Sequence, residues 1–214
     1  MMKNVIFDLD GVLCYTDTLH YKAWKAICDE FGFKFNEDDN LRLRGVSRNE
    51  CVDIILSLQD KRAPAVDKVD FASRKNAMYV SLLQNIGTEL LNVDTVLVLS
   101  QLKRKGIKIA LGSSSKNAVL IVEKLGIRKY FDAIVDGTIL TKSKPSPEVF
   151  IRAAERLDAV CSECLVVEDA KAGIEAAIAG GFRTAVLDGA SNVSDSDYKL
   201  SRLSDVLEIE ELNK

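Results

Sequence analysis

Two carboxylates spaced i, i+2, Asp8 and Asp10, follow directly on the apolar run Val5-Ile6-Phe7, and Gly11 comes next. Side by side, such groups repel and lose hydration unless a bound cation or a shared proton compensates them, and either compensation implies chemistry. A second acidic pair, Glu168-Asp169, follows Leu165-Val166-Val167, and a hydroxyl-rich turn, Ser113-Ser114-Ser115-Lys116-Asn117, follows Ile107 to Gly112. Taken singly, each cluster could be a capped helix start or an acidic surface turn, and for the serine turn alone that is the better reading. Together they describe oxygen ligands suited to Mg2+, which takes a few carboxylates and leaves positions for phosphate oxygens. The serine turn opens a helix, and with Lys144 it offers the hydroxyl, amide and ammonium groups that receive an anion.

Strands must deliver these groups. The apolar runs before them read as buried strands, and ligands bind at the carboxyl ends of strands in a parallel sheet. Gly11 lets the backbone turn sharply at the first such end. From about residue 88 the pattern alternates. A helix over 94–105 stops at Gly106, a strand follows over 107–111, and the next helix ends at Gly126. A strand over 131–135 precedes a helix opened by Ser146 as N-cap and Pro147 as first helical residue. A strand over 165–167, a helix over 172–179 and a strand over 183–187 complete the alternation, which implies a parallel sheet with helices on both faces.

Residues 16–87 read differently. Leu19, Ala23, Ile27 and Phe31 recur at helical spacing up to Gly32, and Ser47-Arg48-Asn49-Glu50 is a capping box for a second helix. A third is expected from near Pro64, through Val69, Ala72, Tyr79 and Leu83, to a stop at Gly87. The expected fold is therefore α/β: a Rossmann-like doubly wound parallel sheet core (1–15 and 88–214) with a small all-helical cap domain (16–87) inserted after the first strand.

The chain of 214 residues, 47% hydrophobic and 29% charged, can bury a sizeable core. A net charge of -3 gives no general attraction to nucleic acid or anionic membrane, so any phosphate binding must be local. The apolar run near the N-terminus is too brief for a signal peptide and none approaches membrane-spanning length; a cytoplasmic address is expected. Cys14, Cys28, Cys51, Cys161 and Cys164 are an odd, scattered set, which argues against a disulfide framework. The pair Cys161-x-x-Cys164, in a chain with 1 histidine, cannot complete a structural zinc site.

Asp8-x-Asp10-Gly11-Val12, Ser113 after its strand, Lys144-Pro145 and Glu168-Asp169, in that order, resemble the motifs of the haloacid dehalogenase superfamily of phosphotransferases. The helical insert resembles the cap of its first subclass. Within that superfamily, His20-x-x-x-Trp24-Lys25, Arg44-Gly45-Val46-Ser47-Arg48, Arg74-Lys75-Asn76 and the serine turn are similar to the β-phosphoglucomutase family. Cys51 departs from it, standing where that family often has serine.

The resemblance implies roles. Asp8 would be the nucleophile that becomes an aspartyl phosphate and Asp10 the general acid/base. Mg2+ would sit on Asp8, the Asp10 backbone carbonyl, Glu168 and Asp169. Ser113 and Lys144 would bind the phosphoryl group in transfer. Arg48, Ser115, Lys116 and Asn117, with Ser114 beside them, would hold the second phosphate. His20, Trp24, Gly45, Val46, Ser47, Cys51 and Lys75 would surround the sugar, and Thr16 and the segment near Gly87 would act as hinges. The activity implied is interconversion of β-glucose 1-phosphate and glucose 6-phosphate, with β-glucose 1,6-bisphosphate as primer and intermediate. A phosphatase on the same scaffold is the nearest rival; a non-catalytic phospho-ligand sensor is less favoured, because it could drop Asp8 or Asp10. The expected partners are small-molecule sugar phosphates, without nucleic acid or membrane, and a monomer is expected.

Overall fold

A computed structural model describes residues 2–43, 46–60, 64–187 and 195–212. Strand β1, Asn4–Phe7, is buried at every position, as an uninterrupted apolar run requires of a central parallel strand. Helix α1, Asp17–Glu30, buries Ala23, Trp24, Ile27 and Cys28 along one face, and Gly32 (φ +69) ends it in the left-handed conformation that glycine adopts freely.

Helix α2, Glu37–Leu41, has no counterpart in the sequence expectations. The Asn36 side chain accepts from the Asp39 amide, and the Asp39 carboxylate accepts from the Asn36 amide, a reciprocal cap that sustains this short turn. Helix α3, Arg48–Ser57, starts from the Ser47–Glu50 box foreseen in the sequence. Helix α4, Lys68–Leu83, begins later than Pro64, because the Asp67 carboxylate accepts from the Val69 and Asp70 amides and fixes the start there. It also ends before Gly87, and Val69, read as part of its apolar face, is 78% exposed.

Helix α5, Thr95–Arg104, leads to β2, Lys108–Gly112, then α6, Ala118–Lys124, and β3, Ala133–Val135. Helix α7, Glu148–Arg156, starts one residue after Pro147, with the Ser146 hydroxyl accepting from the Glu148 amide at 3.5 Å. Strand β4, Cys164–Glu168, helix α8, Lys171–Ala179, and strand β5, Arg183–Leu187, follow. Strand β6, Tyr198–Leu200, was not anticipated; its three residues pair with β5 at the sheet edge.

Among the described residues the six strands pair in parallel, in the order β3-β2-β1-β4-β5-β6, the doubly wound architecture expected. In register, Ile6 faces Ala110 on one side and Val166 on the other, and these pack with Phe150 and Ala153 of α7. The strand order turns back on either side of β1, so the switch point lies between β1 and β4, where α/β sheets bind ligands. The chain divides into two compact units, residues 1–15 with 87–214, and residues 16–86. Among its described residues the second unit is helical without strands, and its core is built around Trp24, Ile27, Phe33, Ile55 and Phe71. Among the described residues no helix is long and apolar enough to cross a membrane.

Candidate active site

Register alone brings the first two acidic groups together. Phe7 pairs with Val167, so Asp8 and Glu168 leave adjacent strands side by side, and the Asp8 amide donates to the Val167 carbonyl at 3.0 Å. Asp169 joins them: Asp8, Glu168 and Asp169 each place a carboxylate oxygen within 4.8 Å of the others. Gly11 permits this approach. It sits at φ +89, and a Cβ there would stand 2.0 Å from Asp169 Oδ2.

Two ionised carboxylates 4.8 Å apart repel by roughly 3 kcal/mol at an effective dielectric constant near 20. That is enough to move a titration by about two units. Burial, with Glu168 adding repulsion, pushes Asp8 up to about 7 against the pull of Lys144. Burial followed by Glu168 and Asp8 pushes Asp169 up to about 8. The Lys144 ammonium, itself buried, donates to Asp8 Oδ1 and to Glu168 Oε1, the latter at 2.6 Å, and these partners raise its pKa despite the cost of burial. The second Glu168 oxygen accepts from the amides of Asp169 (2.8 Å) and Ala170 (2.7 Å). Hard oxygen donors outnumbering the neighbouring ammonium fit a divalent cation such as Mg2+. Asp10, two residues after Asp8, is half-buried, and its side chain is outside this three-carboxylate group.

On the neighbouring strand end, Ser113 is buried and its hydroxyl accepts from the Ser115 amide at 3.1 Å. The Ser115 hydroxyl accepts in turn from the Asn117 amide at 3.2 Å, and the Ser115 carbonyl accepts from the Gly137 amide at 3.1 Å. Ser114 Oγ is buried with no hydrogen-bond partner, a state that native proteins keep mainly where a ligand or water completes it. Lys116 is exposed and Asn117 half-buried, at the end of this turn where α6 begins.

Within the helical unit, Lys75 is buried, its Nζ 2.9 Å from His20 Nδ1 and 4.6 Å from the ring centres of Trp24 and Tyr79. An ammonium can only donate, so His20 Nδ1 accepts and the ring proton is on Nε2. The Tyr79 hydroxyl donates to Thr16 Oγ1 at 3.1 Å, anchoring the first residue of that unit. Arg48, at the start of α3, is half-buried, and burial lowers its pKa. The Ser47 hydroxyl is occupied by the helix cap, bonded to Glu50, and Val46 packs against the helical core.

Two residues expected on the sugar side lie in the core of the helical unit. Trp24 stacks on Phe71, and Cys51 is buried with its thiol directed at the Leu43 and Val46 carbonyls. Gly45 and Arg44 lie outside the described residues. Gly87 starts the return to the sheet unit with its amide bonded to Glu89. The 5 cysteines are free thiols, consistent with the sequence reading. Gly173, read from the sequence only as part of a helix, was missed as a site residue: a Cβ there would stand 1.9 Å from Glu168 Oε1. Its signal was a glycine in the first turn of the helix that follows the acidic pair.

The buried imidazole makes a prediction. Burial first, then Lys75 and Arg48, holds His20 well below its ordinary pKa; Tyr79 is the other titratable ring against it. The unfolded chain binds a proton near pH 6.5 and the folded chain does not, so stability falls as pH drops below about 6.5, by at most about 1.4 kcal/mol per unit. With 1 histidine in the chain, the proton NMR signal of its ring reads this directly. It should not titrate between about pH 7 and 5.5; a midpoint near 6.5 would refute the buried arrangement.

Comparison with known proteins agrees with this geometry. Residues 2–181 match the family model of haloacid dehalogenase-like hydrolases. The chain is 42% identical to β-phosphoglucomutase of Bacillus subtilis over 85% of its length and 81% of the relative's. It is 33% identical to a phosphorylated carbohydrates phosphatase of Thermotoga maritima, over 85% of this chain and 82% of that one. The crystal structure of β-phosphoglucomutase from Clostridium difficile superposes with a TM-score of 0.90 at 32% identity, covering 100% of this chain and 98% of that one. Because the match runs through the strand ends that carry Asp8, Ser113 and Glu168 and through the helical insert alike, the chain belongs to the haloacid dehalogenase-like hydrolase family.

Proposed function

We propose that this protein is a phosphomutase, interconverting β-glucose 1-phosphate and glucose 6-phosphate through β-glucose 1,6-bisphosphate. The observation that carries the chemistry is the buried Asp8 carboxylate held against the Lys144 ammonium at the switch point. The choice of substrate draws support from the 42% identity to the Bacillus subtilis mutase.

Asp8 Oδ attacks a phosphoryl phosphorus, the bond from phosphorus to the sugar oxygen breaks, and Asp10 gives that oxygen its proton. In the other half-reaction a sugar hydroxyl attacks the aspartyl phosphate and returns its proton to Asp10, freeing the Asp8 carboxylate. Lys144 and the Ser113 hydroxyl stabilise the charge on the oxygens in transfer, and the orphaned Ser114 hydroxyl has a donor to offer a phosphate. Asp8, Glu168, Asp169 and the Asp10 carbonyl would hold Mg2+, which when bound neutralises part of the phosphoryl charge. The planar fork of Arg48 suits the phosphate that is not transferred, with Ser115, Lys116 and Asn117 as further ligands. His20, Val46, Ser47, Gly45 and Lys75 serve sugar recognition, and Thr16 and Gly87 the hinge. The small-molecule sugar phosphates are the only partners the reading requires.

A phosphatase is the second reading, favoured by the 33% identity to the Thermotoga maritima phosphatase. Product analysis separates the two. With Mg2+ and a trace of the bisphosphate, β-glucose 1-phosphate, assayed beside the α anomer, should yield glucose 6-phosphate; inorganic phosphate as main product would establish the rival. Arg48→Ala should lower mutase turnover by about a hundredfold, the worth of a charged phosphate contact, while slow phosphoenzyme hydrolysis continues. Equal loss of both activities would remove Arg48 from the distal phosphate.

A further inference from the structure

The loop that carries Lys144 is closed by a residue with no assigned part in the chemistry. The Glu148 carboxylate, on the first residue of α7, accepts from the Thr141 amide (3.0 Å), the Thr141 hydroxyl (2.8 Å) and the Lys142 amide (2.8 Å). Arg152, one turn on, donates to its other oxygen through Nε at 2.8 Å. The side chain is 15% exposed, and these donors, the Thr141 hydroxyl foremost, hold its pKa at about 2. A surface glutamate in a helix's first turn ordinarily does no more than complement the dipole. Here it grips consecutive main-chain amides of the segment that precedes its own helix. The chain leaves the grip at Lys142 and returns at Glu148 itself, and Lys144 lies on the short loop so closed, with Ser146 N bonded to Ser143 O at 2.9 Å. A loop pinned at both ends has little freedom to withdraw its side chain.

We propose that Glu148 is the positioning residue for Lys144: by closing the 142–148 loop on its own carboxylate it keeps the ammonium at Asp8 and Glu168. The catalytic consequence rests on the phosphoryl-transfer reading of Lys144; the structural claim does not. The test is therefore built on lysine reactivity. Full-length wild type, Glu148→Ala and the milder Glu148→Gln, which keeps one acceptor oxygen, are acylated with an amine-specific reagent and the labelled peptides quantified. Lys75, buried like Lys144 but in the helical unit, is the internal control. Glu148→Ala should speed Lys144 acylation at least about tenfold with Lys75 nearly unchanged, and Glu148→Gln should fall between. Parallel acceleration of both lysines, or none at Lys144, would overturn the proposal, because a merely stabilising residue loosens both units or neither. Turnover of a small acyl phosphate then closes a double-mutant cycle: Glu148→Ala should cost about tenfold in the wild-type background and almost nothing in Lys144→Ala. Lys144 loosened with turnover unchanged would leave the clamp standing and remove Lys144 from the transfer step instead.

Discussion

Asp8→Asn is expected to lower turnover by about ten-thousandfold or more while leaving the fold at least as stable as before in the absence of divalent metal. The activity loss follows from removing the only carboxylate assigned to carry the phosphoryl group, since losing a covalent nucleophile leaves only binding and electrostatic assistance. The stability outcome follows from the electrostatics of the cluster. Burial pushes Asp8 up to about 7, which says that its ionised form is disfavoured in the fold relative to water. An isosteric amide removes that cost along with the repulsion from Glu168, and Lys144 retains Glu168 as its partner at 2.6 Å. Unfolding in urea without metal, beside a turnover assay, checks both halves. Loss of activity accompanied by a comparable loss of stability would make Asp8 a structural residue.

Gly173→Ala should be strongly destabilising for a single added methyl group. A Cβ at this position would lie 1.9 Å from Glu168 Oε1, 2.1 Å from its Cδ and 2.6 Å from its Cγ. Contacts that short are relieved only if the neighbour moves, and Glu168 is not free to move. One of its oxygens is held by Lys144 and the other by the amides of Asp169 and Ala170. Displacing it breaks a buried ion pair, a change that typically costs about 3–5 kcal/mol because an uncompensated charge remains. The expected result is a drop of roughly that size in unfolding free energy, with a sharply raised Mg2+ requirement. A stability change below about 1 kcal/mol, the ordinary cost or gain of a glycine-to-alanine change in a helix, would mean that Glu168 can yield.

The sheet and its acidic rim were legible because their causes are local. An uninterrupted apolar run fixes β1 and β4, their parallel register sets Asp8 beside Glu168, and Gly11 announces the turn. The Ser47–Glu50 box likewise marked the start of α3. What escaped was set by side chains acting over short or nonlocal reach. Helix α2 is held by the Asn36–Asp39 exchange, a box with Asn and Asp in place of the more familiar Ser and Glu. The start of α4 belongs to Asp67, although Pro64 carries the commoner signal. Strand β6 has only three residues, and its alignment is fixed by Asp197 receiving the Thr184 amide at 2.8 Å, a contact no periodicity reveals. Lys75 is singled out in the sequence only by the family resemblance; its burial against His20, Trp24 and Tyr79 depends on how α1 and α4 pack. Trp24 and Cys51 are buried as well, as aromatic and thiol groups commonly are.

Mapping the phosphoenzyme shows whether Asp8 carries the phosphoryl group. The protein is mixed with isotopically labelled bisphosphate and Mg2+, quenched, reduced with borohydride to fix acyl phosphates, and its peptides sequenced by mass spectrometry. Modification is expected at Asp8 alone. Modification at a serine, at His20 or at Asp10, or a protein that turns over substrate with no trapped intermediate, would contradict it.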